Sequence, residues 1–403
     1  MSTDSLTGTG TTRVVATHPE LVTALEWAFS RDEVGLQVAA YLGDELLAEA
    51  HGGLTARNQG APVTARTLFP IFSVTKAITA LALHRQVALG YVDYEAPVAA
   101  YWPEFAANGK AGTTVSHVLT HRSGVPHLPA GVDVERLDDW QWMVDGLAAL
   151  EPVAPAGTKS TYQALSFGWL VGEVVRRTDP KGRPFRDYVR EEILDRIGVD
   201  DFWLGLPASE EHRVAILSQD AVIRGTAPPL RSIAIPDAVN TVPDVFNRRT
   251  VHAACIPGAG GIATARAVAR CMSVLANRGQ VGGVALLAPE QVDTFSVPRP
   301  DPLEMDDVIG YAPYLGTGGF WLGGQSPPAE PIVGSSPHIL CQTGTGGSLA
   351  WADPDIGLSV AICHNRLFRR IPPLPPDRHP YSLIGDVIRD IAAASRTKEG
   401  PPK

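Results

Sequence analysis

A serine and a lysine stand three residues apart at the start of an apolar segment. The stretch FSVTKAITALALHRQVALG, residues 72–90, carries Ser73 and Lys76 ahead of a run of alanine, isoleucine and leucine. Residues three apart on a helix share one face, with Cβ atoms about 5–6 Å apart, so the lysine nitrogen can reach the hydroxyl. The chain has only 6 lysines against 28 arginines. A lysine at this place therefore indicates a chemical use.

The chemistry that this pair could perform is nucleophilic catalysis. A serine hydroxyl is unreactive until a base accepts its proton. Burial and the positive end of the helix dipole both disfavour the ammonium form, so they lower the pKa of Lys76 and make it a base. The backbone N–H of Ser73 could stabilise an oxyanion at the same helix start. The alternative is a structural pair, in which Ser73 caps the helix and Lys76 extends to solvent.

Two further segments carry groups that could complete such a site. In PAGTKSTYQALSF, Tyr162 follows a Pro/Gly turn, and its phenol could relay a proton to a leaving group. In HILCQTGTGGSLAW, residues 338–351, three glycines would let an acyl group approach the backbone, and Thr345 could supply a second oxyanion N–H. The alternatives are a half-buried tyrosine with a backbone partner and a plain glycine-rich hairpin. The Gly-x-Ser-x-Gly motif of the α/β-hydrolases is absent from the chain.

Together, Ser-Val-Thr-Lys at 73–76, Tyr162 and the strand ending in Thr-Gly-Thr-Gly-Gly resemble the class C β-lactamase-like serine hydrolases. That family includes penicillin-binding carboxypeptidases, esterases and some acyltransferases, and the resemblance extends over roughly residues 20–390. It implies an α+β fold of the β-lactamase/transpeptidase type, with an antiparallel sheet flanked by helices, an all-helical lobe and a site between them. It also implies roles for individual residues: Ser73 as nucleophile, Lys76 as base, Tyr162 as proton carrier, the N–H groups of Ser73 and Thr345 as oxyanion hole, and Gln342, Thr343, Gly344 and Trp351 as substrate-binding residues.

Two departures from the family pattern bear on the substrate. Classical members have Tyr-x-Asn where this chain has Tyr162-Gln163-Ala164, and Lys-Thr-Gly or His-Thr-Gly where it has Gln342-Thr343-Gly344. Gln342 cannot carry charge, so it neither attracts a carboxylate nor exchanges a proton. Both departures count against β-lactam chemistry. For Trp351, packing in the core is the alternative to lining an acyl pocket.

The leading hypothesis from these residues is a serine esterase, in which Ser73 is acylated by an ester or amide of small size and then hydrolysed. The runner-up is an acyltransferase that passes the same acyl group to an alcohol or amine in a biosynthetic pathway. A β-lactamase and a non-catalytic binder with the same fold are less favoured. The acyl group and the oligomeric state are left open.

The elements that would position these groups follow from hydrophobic periodicity and turn residues. We predict helices over 19–29, VSHVLTHRSGVP, LSFGWLVGEVVRRT, FRDYVREEILDRIGV, 263–277 and YSLIGDVIRDIAAA, a hairpin around Gly43-Asp44, and strands in the segments near 320, 340, 350 and 360. Prolines predict a long loop over 224–250. The predicted organisation is a flexible leader (1–16), an α/β domain (17–75 and 235–396) interrupted by a helical domain (76–234), and a tail (397–403).

Composition and the remaining motifs exclude other classes of function. A formal net charge of −9 without any basic run argues against nucleic acid as a partner. No export signal and no run of 18 apolar residues is visible, which predicts a cytoplasmic protein that does not interact with membranes. The four cysteines and the histidines match no metal-binding spacing, so we expect no metal or organic cofactor. His117 and His121, four apart on one predicted helix, are interpreted as structural.

Overall fold

The computed structural model describes residues 13–220, 227–324, 330, 332–368 and 379–399. Most of the predicted leader lies outside these ranges, but its last residues, Val14–Ala16, form an edge strand. The predicted tail begins too early, because the last helix continues to Glu399. In both places the prediction assigned the end of a strand or helix to an unstructured terminus, because too few apolar residues stand there to show a periodic pattern.

Among the described residues, the strands form one large sheet and three small ones. The large sheet has seven strands in the order β1-β3-β2-β13-β12-β11-β10, and every neighbouring pair is antiparallel. The smaller sheets are β4-β7-β5, β14-β6 and β8-β9. In chain order the strands are β1 (Val14–Ala16), β2 (Gly35–Leu42), β3 (Glu45–Gly53), β4 (Phe69–Pro70), β5 (Phe202–Leu204), β6 (Ser218–Gln219), β7 (Gly261–Ala263), β8 (Gln280–Val281), β9 (Val284–Ala285), β10 (Trp321–Leu322), β11 (Leu340–Thr343), β12 (Leu349–Asp353), β13 (Leu358–His364) and β14 (Arg366–Leu367).

The helices cover both faces of the large sheet and fill the middle of the chain. They are α1 (Pro19–Phe29), α2 (Thr75–Ala88), α3 (Val115–Leu119), α4 (Trp140–Ala149), α5 (Ser166–Thr178), α6 (Phe185–Val189), α7 (Arg231–Ala234), α8 (Pro243–Phe246), α9 (Arg249–Ala253), α10 (Ala265–Ala276), α11 (Pro289–Thr294) and α12 (Ser382–Glu399). None of the helices in the described ranges combines the length and the apolar character that a membrane crossing requires.

The large sheet is buried on both faces, which explains the nearly continuous apolar run of β2. Successive side chains of a strand point to opposite faces. Val38 and Ala40 of β2 pack in the cluster that contains α1 and α12, whereas Ala39 packs in the cluster that contains α10. The hairpin between β2 and β3 turns at Gly43, which has a φ of +57°. The predicted α+β fold, with an antiparallel sheet flanked by helices, is confirmed.

The helical lobe is built around α5, which is buried over its first ten residues and contacts α2, α3, α4 and α6. The core of the helical lobe includes four fully buried aromatic side chains, which are Trp102, Phe105, Phe167 and Trp169. This core belongs to the same apolar cluster as the α10 face of the large sheet. The two parts of the molecule therefore share one interior.

Two predictions about the middle of the chain are wrong in detail. The predicted helical domain extends too far, because β5 lies within it and pairs with β7 of the sheet domain. Residues 224–226 lie outside the described ranges, and the rest of the predicted loop contains α7, α8 and the start of α9. Proline predicted a loop there, but Pro243 occupies the first turn of α8, where a missing N–H removes no hydrogen bond.

Candidate active site

The predicted nucleophile lies on a tight turn in front of α2. Ser73 is the middle residue of a 3₁₀ turn, Phe72–Val74, and 8% of the residue is exposed. Phe72 has a φ of +47°, a left-handed conformation that is uncommon for a bulky residue. The Thr75 hydroxyl donates to the Phe72 carbonyl over 2.5 Å and accepts the N–H of Gly261 over 2.9 Å, so β7 holds the turn in place.

Lys76 is buried beneath this turn and is in contact with the serine. Its Nζ lies 3.0 Å from Ser73 Oγ and 2.7 Å from each of the carbonyl oxygens of Ala164 and Gly258. The residue is 1% exposed, and no carboxylate of the described residues is bonded to it. Burial lowers the pKa of Lys76 well below its usual value. The neutral amine fits this environment, because it can donate to both carbonyls and accept the Ser73 hydroxyl proton.

The acceptor at Gly258 depends on close packing against α5. A Cβ on Gly168 would lie 2.1 Å from the Gly258 nitrogen, and a Cβ on Gly258 would lie 2.5 Å from the Leu165 carbonyl oxygen. Only a residue without a side chain allows the two backbones to approach this closely. The pair of glycines thus brings the Gly258 carbonyl within reach of Lys76.

Tyr162 projects from the loop before α5 toward the same point. Burial raises the pKa of the Tyr162 phenol. The Ser73 hydroxyl and the Gln342 amide lie close enough to the phenol to oppose part of that shift. Neither of these two contacts has the geometry of a hydrogen bond. Lys76 Nζ lies 5.1 Å from the centre of the Tyr162 ring. The phenol therefore keeps its proton at neutral pH.

A buried carboxylate that the sequence did not reveal holds the Tyr162 loop. Asp306 Oδ2 accepts the Tyr162 N–H and the Ser160 hydroxyl, both over 2.7 Å. Its other oxygen accepts the N–H groups of Val308 and Ile309. Burial raises the pKa of the Asp306 carboxyl, and these four hydrogen bonds oppose the shift. No local pattern signals this residue, because its contact with Tyr162 joins positions 144 residues apart.

The glycine-rich turn after β11 abuts the Ser73 turn. A Cβ on Gly344 would lie 2.5 Å from the Ile71 carbonyl oxygen. The turn is closed by hydrogen bonds from Gly344 N–H to the Ser348 carbonyl (2.6 Å) and from Gly347 N–H to the Gly344 carbonyl (3.1 Å). Within the described ranges, the N–H of Thr345 has no hydrogen-bond acceptor. This arrangement leaves the Thr345 N–H free on the turn that abuts the Ser73 turn.

The predicted substrate-binding residues separate into two groups. Gln342 is 1% exposed, and neither atom of its amide has a hydrogen-bond partner among the described residues. Thr343 and Gly344 are half-buried and continue from it to the turn. Trp351 pairs with Cys341, and its fully buried side chain packs in the apolar cluster that contains α1, α12 and Tyr162. The structure thus shows core packing for Trp351, and its role in an acyl pocket stays a prediction.

Other groups considered from the sequence lie apart from this chemistry. His117 forms a capping box with Thr114 at the start of α3. The four cysteines are buried and unpaired. Within the part of the chain that the structure describes, no group of three or more His, Cys, Asp or Glu side chains is arranged to hold a metal ion.

Comparison with known proteins gives a family and several relatives. A family model described as Beta-lactamase matches residues 13–374. The esterase/beta-lactamase LipL of Mycobacterium tuberculosis is 33% identical over 383 residues, which cover 91% of this chain and 85% of that protein. Esterase EstB of Burkholderia gladioli is 32% identical over 195 residues, or 44% of this chain and 48% of that protein.

Two solved structures extend the comparison to three dimensions. A penicillin-binding protein homologue from Caulobacter crescentus has a TM-score of 0.79 at 31% identity, and covers 92% of this chain and 97% of its own. A family VIII carboxylesterase has a TM-score of 0.79 at 28% identity, and covers 92% and 98%. Both are similar to this chain over almost its whole length.

Proposed function

We propose that this chain, which belongs to the beta-lactamase family and to its esterase-like branch, hydrolyses carboxylic esters through an acyl-enzyme on Ser73. The observation that carries the proposal is the contact between Ser73 Oγ and the buried Lys76 amine, whose other neighbours are two carbonyls. Relatives described as esterases support ester substrates.

In the first step, the Ser73 hydroxyl proton passes to the neutral Lys76 amine as Oγ attacks the ester carbonyl carbon. The carbonyl oxygen becomes an oxyanion, which the N–H groups of Ser73 and Thr345 stabilise. When the tetrahedral intermediate collapses, the bond from carbon to the alcohol oxygen breaks. The departing oxygen takes a proton from Tyr162, and the Tyr162 phenol is restored by the proton that Lys76 received.

In the second step, a water molecule replaces the alcohol. The neutral Lys76 amine removes a proton from the water as its oxygen attacks the acyl carbon. Ser73 Oγ leaves with a proton from Tyr162, and the Tyr162 phenol is restored by the proton that Lys76 received. Release of the carboxylic acid restores the resting enzyme. An alcohol or amine in place of water would lead to acyl transfer from the same intermediate, so the acceptor separates the two activities.

The Gln342 amide supports an uncharged acyl group. Neither end of this buried amide has a hydrogen-bond partner among the described residues, and a polar group of the substrate would supply one. Because glutamine bears no charge, it offers no attraction to a carboxylate. We expect Gln342→Lys to improve kcat/KM for acyl groups that carry a carboxylate relative to neutral ones, and Gln342→Leu to weaken both.

The direct test is the hydrolysis of a short p-nitrophenyl ester by wild type and by Ser73→Ala. The chain offers a matched control, because Ser395 begins a second Ser-x-x-Lys sequence, on α12. We expect Ser73→Ala to abolish turnover and Ser395→Ala to retain it. Equal turnover by wild type and Ser73→Ala would refute the proposal.

A further inference from the structure

His121 connects the end of α3 to the Tyr162 loop in a strained conformation. Its φ is +58°, in the left-handed region where asparagine and glycine are more comfortable than histidine. The residue is 1% exposed. The predicted helix over VSHVLTHRSGVP ends at Leu119, ahead of this residue and well before Gly124. Strain of this kind is retained only where the surroundings fix it.

The surroundings that fix His121 are the two residues on either side of Tyr162. Its carbonyl accepts the N–H of Thr161 over 3.0 Å, and its ring nitrogen Nδ1 accepts the N–H of Gln163 over 3.1 Å. Tyr162 N–H donates to Asp306, so the backbone N–H groups of residues 161, 162 and 163 all have hydrogen-bond acceptors. The loop that presents the phenol therefore has no free N–H at these positions.

The imidazole also packs directly against the phenol. The ring centres of His121 and Tyr162 are 4.4 Å apart, and those of His121 and Phe167 are 5.1 Å apart. Trp321 lies farther from Tyr162, at 6.2 Å between ring centres. The nearest aromatic neighbour of the phenol is thus His121, which limits how far the phenol ring can move away from Ser73.

The hydrogen bonds fix the protonation state of His121. Nδ1 accepts a backbone N–H, so the single ring proton of the neutral imidazole lies on Nε2. Burial lowers the pKa of His121 well below its usual value, and the charge of Arg299 lowers it further. The acceptor at Nδ1 consequently persists across the neutral pH range.

We propose that His121 is the positioning residue that fixes the Tyr162 phenol against Ser73, by binding the backbone on both sides of Tyr162 and packing on its ring. The proposal rests on the function proposed above for Tyr162. It assigns no proton transfer to His121. The residue acts through Tyr162 and touches neither Ser73 nor the substrate carbonyl.

Two substitutions separate the acceptor from the backbone conformation. Asparagine and glycine both tolerate a positive φ, but only the Oδ1 atom of asparagine can take the place of Nδ1 as acceptor. We expect His121→Gly to lower kcat by roughly 10- to 100-fold with KM within about twofold, as a misplaced catalytic group does. His121→Asn should recover at least about tenfold of that loss, with the same pH dependence as wild type.

His117→Asn is the matched control. His117 is four residues away and its Nδ1 also accepts a backbone N–H, from Thr114 over 3.1 Å, but it has no contact with Tyr162. We expect its kcat and KM to equal those of wild type. Melting temperatures of all variants report whether the fold is intact.

The outcomes are distinct. A kcat loss in His121→Gly that His121→Asn reverses supports the positioning role. Wild-type kcat in His121→Gly overturns it, and so does an equal loss in both variants that follows their melting temperatures. If the acid side of the kcat–pH profile changes in His121→Asn, the positioning role is also overturned, because that change would assign a proton transfer to His121. Failure of the proposed function itself would appear separately, as turnover by Ser73→Ala.

Discussion

At the scale of single residues, two buried lysines show what makes Lys76 a base. Lys110 is as buried as Lys76, but its Nζ is bonded to three carbonyls, those of Ala107, Ala148 and Leu150. Three acceptors require three N–H groups, which only the ammonium form has. Lys76 has two carbonyls and a hydroxyl, so its neutral form leaves no bond unmade. Both lysines are buried, and they differ in the third hydrogen-bond partner of Nζ, which is a hydroxyl for Lys76 and a carbonyl for Lys110.

The pH dependence of turnover should follow the protonation of Lys76. Burial lowers the pKa of Lys76, so the neutral amine is present at a pH where a free lysine would be charged. Activity should therefore rise with pH through the pKa of Lys76 and disappear below it, as the amine gains a proton. A pH profile of kcat/KM measures this, and a rate that increases toward acid would contradict the assignment.

Replacing Lys76 with arginine should remove the base and keep a cation. A guanidinium remains protonated, so Lys76→Arg should lose at least about 10³-fold in kcat at every pH. The control is Lys110→Met, which should retain kcat and lose about 1–3 kcal/mol of unfolding free energy because its carbonyl partners lose their donors. Near-normal kcat in Lys76→Arg would eliminate Lys76 as the base.

The phenol of Tyr162 can be tested without disturbing its packing. Tyr162→Phe keeps the ring beside His121 and removes only the hydroxyl, so we expect a loss of roughly 10²-fold in kcat with an unchanged melting temperature. Steady-state kinetics with a poor leaving group should show a larger loss than with p-nitrophenol, because a poor leaving group needs the proton more. Equal losses for both would argue against proton donation.

Sequence reasoning located Ser73 and Lys76 because a short helical spacing brings them together. Tyr162 and Thr345 came from loops that the resemblance placed in the same site. For Trp351 the sequence left pocket lining and core packing open, because the face of a strand depends on its register, and one residue shifts a side chain to the other face. Asp306 was missed and His121 was interpreted as structural, because their contacts with the Tyr162 loop join distant segments.

At the scale of elements, the turn after β11 requires a glycine beside the nucleophile. Gly344→Ala should lower kcat at least about tenfold, because its Cβ would lie 2.5 Å from the Ile71 carbonyl and displace the turn that carries Thr345. Gly112→Ala is the control, since no atom lies within 4 Å of a Cβ built there. Equal kcat values for the two variants would contradict a tight contact between the turns.

The elements themselves were predictable where apolar periodicity is strong. The hairpin of β2 and β3, helix α5 and the strands β11 to β13 lie where the sequence indicated them. The short helices after residue 226 were not predicted, because proline occurs both in loops and in the first turns of helices. Short helices such as α7 and α8 contain too few residues for a periodic pattern.

At the scale of the whole molecule, the helical lobe and the sheet should unfold together, because one apolar cluster extends through both. Leu81 lies in the lobe and Leu340 in the sheet, and both are fully buried members of this cluster. Leu81→Ala and Leu340→Ala should each lower the temperature of the same calorimetric transition, with a loss of about 2–5 kcal/mol of unfolding free energy. Two separate transitions, each moved by one variant, would contradict a shared core.

The central claim is that Ser73 carries the acyl group, and intact-protein mass spectrometry tests it most directly. Wild type and Ser73→Ala would be mixed briefly with a short p-nitrophenyl ester and quenched in acid. We predict a mass gain of one acyl group in wild type, mapped to the peptide that contains Ser73, and no gain in Ser73→Ala. An acyl group on another residue, with Ser73→Ala still turning over the ester, would contradict the account.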